Sequence, residues 1–100
     1  MAYESGDLDA MFASAAGEDA VLLAELREVF SESLGRQIDL LRRARCDGNW
    51  HMAAMRLKSL GASFNAPQLV DLAEEALDSA PGEPTVVRKL QSFAGDFAVS

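Results

Sequence analysis

The sequence predicts an all-α fold: an up-down four-helix bundle with a short N-terminal helix. Three observations carry this. Apolar residues recur at i, i+3, i+4 and i+7 along most of the chain, and no stretch alternates with the period of a strand. Turn punctuation is sparse, and all three prolines (Pro67, Pro81, Pro84) fall in the last third, which leaves room for long elements. Apolar residues make up 49% and charged residues 25%, the balance of a chain that buries a core. The 100 residues form one domain, 1–100. A chain of that length buries roughly 60–68% of its unfolded surface, enough for one modest core.

Each element follows from local chemistry. Leu8, Met11, Phe12 and Ala15 keep helical spacing and give the short leading helix, ended by Gly17. Glu18 and Asp19 then place acids in the first turn of a long helix, where they suit the dipole. It carries Leu22, Leu23, Leu26, Val29, Phe30, Leu34, Ile38, Leu41 and Ala44 and ends on Arg42, Arg43 and Arg45. From Glu18 to Arg45 it would span about 42 Å, with a possible bend at Gly35. Asp47-Gly48-Asn49 reads as a turn with Asn49 as N-cap of a helix from Trp50 to Phe64. Asn65 suits the left-handed residue that closes that helix. Pro67 opens the next, whose apolar stripe is Leu69, Leu72, Ala73, Ala76 and Leu77. Ser79-Ala80-Pro81-Gly82 breaks the chain, and a last helix from Glu83 carries Val86, Leu90, Phe93, Ala94 and Phe97.

Composition excludes several functions. One cysteine and one histidine cannot build a disulfide framework or a Cys/His zinc site, so no metal or other cofactor is expected. The net charge of −7 argues against nucleic acid as a default partner. No apolar run is long enough to span a membrane, and the first residues lack the pattern of a secretory signal. A free thiol at Cys46 and no export signature point to a cytoplasmic protein. Cys46 follows Arg42, Arg43 and Arg45 but reads as a passive thiol, and the adjacent acids Glu74 and Glu75 read as a solvated face. Ser31, Ser33 and Ser63 have no histidine or acid at a spacing that would make a hydrolase.

The helix from Trp50 to Phe64 is the informative one. At about 100° per residue, Trp50, Ala53, Ala54, Leu57, Leu60, Gly61 and Phe64 share one arc, the core face. His51, Met55, Lys58 and Ala62 group well away from that face, and Ser59 lies opposite it. Methionine is flexible and polarizable and favours adaptable binding surfaces, and the small Ser59, Ala62 and Ser63 let another backbone approach. A single exposed methionine is also ordinary on a solvated helix, so spacing alone leaves both open.

The stretch Asn49 to Leu69 resembles the centre of a histidine-containing phosphotransfer (HPt) domain, with Leu57, Lys58, Ala66 and Leu69 matching its pattern. Glu28-Val29-Phe30, Leu40 to Ala44 and Leu72 to Leu77 also look like HPt helices, so the resemblance covers nearly the whole chain. It implies a monomeric four-helix bundle of the phosphorelay type. In that family a histidine three residues before the lysine carries the phosphoryl group; here that position is Met55, while Ser59, Leu60 and Asn65 stand where the family has small residues. A thioether offers no nitrogen to accept a phosphoryl group. The resemblance therefore implies a pseudo-HPt module that binds a response-regulator receiver domain or a histidine kinase without carrying phosphate. The residues expected to line the docking face are His51, Met52, Met55, Lys58, Ser59, Ala62 and Ser63.

Two alternatives stay open. His51 lies one turn before Met55 and could be a displaced phosphoacceptor, although a slip of about 6 Å along the axis is far more than in-line transfer tolerates. The outer face could also make a homodimer. Charge is unevenly spread: residues 1–34 carry net −7, residues 35–58 net +4 and residues 59–100 net −4. The basic segment surrounds Met55, which suits a partner presenting acids.

Overall fold

A computed structural model of the chain describes residues 19–99. The leading helix expected around Leu8–Ala15 lies outside the described residues. Among those described there is no strand, and four helices follow in order: α1 (Ala20–Arg43), α2 (Asp47–Ser63), α3 (Pro67–Leu77) and α4 (Pro84–Val99).

α1 begins at Ala20, two residues later than the expected Glu18. Asp19 stands outside the helix as its N-cap, and its carboxylate accepts from the Val21 and Leu22 backbone N–H groups at 3.0 and 3.1 Å. The helix runs unbroken through Gly35, because glycine costs a helix only about 1 kcal/mol and the core anchors both sides. A Cβ at Gly35 would meet nothing within 4 Å. Gly35→Ala is therefore expected to stabilise the protein by about 0.5–1 kcal/mol, read as a higher urea midpoint with an unchanged slope. α1 closes at Arg43, two residues before the expected Arg45, because Ala44 turns extended and buries itself.

Asp47-Gly48-Asn49 is not a turn. It is the first turn of α2, and the Trp50 N–H bonds the Cys46 carbonyl at 3.0 Å. Asn49 is thus inside the helix, not its cap; Cys46 holds the N-cap position with no side-chain bond. Asp47 at the first helical position suits the dipole, which offsets the weak propensity of its neighbours. α4 likewise starts at Pro84, with Glu83 just outside it accepting from the Thr85 N–H at 3.1 Å.

The α2–α3 corner decides how closely those helices pack. Asn65 takes the left-handed conformation at φ 54°. The Ala66 N–H bonds Gly61 O at 2.7 Å and the Asn65 N–H bonds Ala62 O at 3.3 Å, the paired bonds of a Schellman ending. Pro67 follows at once as the first residue of α3, where its missing N–H costs nothing. So short a corner presses α3 onto α2: a Cβ at Gly61 would lie 3.0 Å from the Val70 backbone nitrogen and 3.2 Å from the Ala66 carbonyl.

One core joins the four helices. α1 packs on α2 and α4, and α3 packs on α2 and α4. Phe30, Leu34, Leu41, Leu57, Leu69, Val86 and Leu90 are fully buried. At one end the Phe30 ring meets Phe64 and Phe97, each with centroids 4.9 Å apart. At the other, buried Trp50 donates from Nε1 to the Ala76 carbonyl at 2.7 Å, joining the start of α2 to the end of α3. Leu22 and Val29, expected on the apolar stripe of α1, are exposed; they sit well round the helix from Phe30 and Leu34, which take the core.

Candidate functional site

The core face of α2 is set by Trp50, Ala53, Ala54, Leu57 and Gly61, all buried, with Leu60 and Phe64 packed partly against it. The exposure of the residues expected to line the docking face follows by rotation. His51, Met52, Met55, Ser59, Ala62 and Ser63 are exposed, and Lys58 is half-buried. Met52 is 51% and Met55 40% exposed, so neither thioether is a core filler. The seven residues span an arc of about 140°, with Lys58, His51, Ala62 and Met55 on the flank toward α3 and Ser59, Met52 and Ser63 toward α1. His51 belongs to the second turn of α2, because the helix starts at Asp47.

Lys58 is already engaged. Its Nζ lies 3.2 Å from Glu74 on α3, and both side chains remain partly exposed. An exposed pair of this kind contributes about 0–1 kcal/mol, so carboxylates on another molecule can compete for the ammonium.

The positive field of the middle segment is divided. Asp39 pairs with both Arg42 and Arg43, and the Arg42 hydrogen bond, helped by the charge of Arg43, holds its carboxyl below the ordinary range. That pairing stabilises the fold at pH above the unfolded carboxylate range and is lost as acid protonates Asp39. Arg36 and Arg56 are exposed and have no ion-pair partner among the described residues, so they carry the local charge outward.

Two features escaped sequence reasoning. Leu40, Asn49, Met52, Ala53 and Arg56 line a hollow of about 240 Å³ between α1 and α2, which extends the Met52 side of the face onto α1. Leu40 is 38% exposed, and its offset from the core stripe of α1 was the available signal. A second concavity, about 500 Å³, lies between α3 and α4, lined by Gln68, Leu72, Arg88, Ser92, Phe93 and Asp96 among others. Its residues come from two helices that no sequence spacing connects. Among the described residues no group of three or more His, Cys, Asp or Glu could hold a metal ion, and no helix is long and apolar enough to cross a membrane.

No family model matches this chain, and no curated protein or solved structure is significantly similar to it.

Proposed function

We propose that the chain is a pseudo-HPt module: an up-down four-helix bundle that docks a receiver domain or histidine kinase of a phosphorelay through the outer face of α2 and carries no phosphate. The observation that supports this reading best is the exposure of Met55 at the position where the resemblance sets the phosphoacceptor histidine. A thioether there has no nitrogen to attack an acyl phosphate or phosphohistidine and no proton to shuttle. What it keeps is an adaptable apolar contact. Ser59 and Ala62 beside it are small enough for close approach, and Arg56 with Lys58 supplies cations for the acids of a receiver phosphorylation site. Such a module sequesters or modulates its partner.

Phosphotransfer assays test this. Wild-type protein incubated with an active histidine kinase and ATP, or with a phosphorylated receiver, is expected to take up no acid-labile label. Met55→His combined with Ser59→Gly is expected to gain label, and Met55→Glu to weaken binding to a receiver about tenfold or more through burial of an unpaired charge. Acid-labile label on the wild type would overturn the reading. Should that label vanish in His51→Ala, the displaced phosphoacceptor is the function instead; the exposure of His51 one turn from Met55 favours that as the second reading.

A further inference from the structure

α1 carries a second, largely apolar row beside its core stripe, and three of its apolar residues stay exposed among the described residues. Leu22, Val29 and Leu40 are 39%, 54% and 38% exposed. At about 100° per residue they fall within about 20° of one another, clear of the Phe30–Leu34–Ile38–Leu41 stripe that faces the core. Leu26, which also packs partly against the core, Ser33 and Arg36 complete the row, so its spacing runs four, three, four, three, four. That is the 3.5-residue repeat with which two helices pack as a coiled coil. The spacing is also palindromic, as a two-fold axis requires.

The charges on α1 choose the occupant. Its first half, residues 19–34, holds Asp19, Glu25, Glu28 and Glu32 against Arg27. Its second half, residues 35–43, holds Arg36, Arg42 and Arg43 against Asp39. Two such helices side by side and parallel would oppose like with like. Antiparallel, the acidic half of each faces the basic half of the other.

We propose that the occupant of this row is α1 of a second copy of the chain, packed antiparallel about a two-fold axis near residue 31. Leu22 then meets Leu40 of the second copy at both ends of the seam, and Val29 packs over the small Ser33 at its middle. Arg36 lies opposite Leu26 of the second copy, beside Glu25, and its guanidinium has no other ion-pair partner among the described residues. Glu32, next to the axis, faces its own symmetry mate, a like-charge contact. The seam is short, so the dimer is weak and forms in the micromolar range. His51, Met55 and Ala62 lie on the flank of α2 toward α3, away from this seam, and stay open in the dimer. The proposal stands independently of what α2 binds.

Sedimentation of the full chain from low to high micromolar concentration tests it. The wild type is expected to shift from monomer to dimer. Arg36→Glu is expected to raise the dissociation constant about tenfold or more, and the double reversal Glu25→Arg with Arg36→Glu to restore it to within a few-fold. Glu32→Gln is expected to tighten the dimer, an effect that only this register produces. All three positions are exposed, so circular dichroism should report unchanged folding. A chain that stays monomeric throughout, or a dimer indifferent to Arg36→Glu, would overturn the proposal. So would a monomer that loses stability on Val29→Asp, which would assign the row to a segment of the same chain.

Discussion

Trp50→Ala is expected to destabilise the protein by about 3–5 kcal/mol, the usual cost of emptying a large buried aromatic site. Domains of this size are stable by only about 5–15 kcal/mol, so the variant sits near its unfolding threshold. The melting temperature should fall by more than about 12 °C, measured by far-UV circular dichroism. The reason is position as well as size. Trp50 is buried at the start of α2, and its Nε1–H reaches the Ala76 carbonyl at the end of α3. Trp50→Phe separates the two contributions. It keeps most of the apolar contact but loses the hydrogen bond, leaving the Ala76 carbonyl with backbone donors alone, the Ser79 N–H at 3.1 Å among them. That variant should lose about 1–2 kcal/mol. An alanine variant that melts within a few degrees of wild type would show that the α2–α3 end does not depend on this residue.

Gly61→Ala sets two magnitudes against each other. Helix propensity favours alanine over glycine by about 1 kcal/mol. The added methyl would meet Val70 Cγ2 and the Val70 nitrogen at 3.0 Å and the Ala66 carbonyl at 3.2 Å. A side-chain methyl can rotate away; the nitrogen and carbonyl are backbone and cannot. α3 would have to move off α2, and overpacking of that kind costs about 1–3 kcal/mol. The net expectation is a loss of up to about 2 kcal/mol in urea unfolding. Trimming the movable neighbour with Val70→Ala should recover only part of it, which a double-mutant cycle measures. A net gain in stability from Gly61→Ala would mean that the helices are not this close.

The helices themselves were legible because their signals are local. The apolar arc of α2, Pro67 at the start of α3 and left-handed Asn65 between them all follow from residues within one or two turns. The exposure of His51, Met52, Met55, Ser59, Ala62 and Ser63 was legible for the same reason, since the face left over is set by the face that is buried. The errors fell where local signals conflict. Asp47-Gly48-Asn49 has turn composition, yet the real break is Ala44–Cys46, fixed by burial of Ala44. Leu22 and Val29 have the right hydrophobicity for the core and the wrong angle for it. The remaining features are non-local. Nothing in the spacing connects Lys58 to Glu74, Trp50 to Ala76 or Gly61 to Val70, because each pair meets only after α2 and α3 have folded together.

The isolation of His51 has a practical consequence. It is the sole histidine of the chain, and it is exposed on the same flank of α2 as Met55. Its imidazole therefore gives a single set of ring-proton resonances in a proton NMR spectrum, with no other histidine to overlap it. Titration of those signals by pH, with and without an added protein, reads contact at this face directly and without any introduced label. The methyl groups of Met52 and Met55, among only four methionines, add two further probes on either side of the helix crest. The face thus carries its own spectroscopic reporters, whichever molecule comes to occupy it.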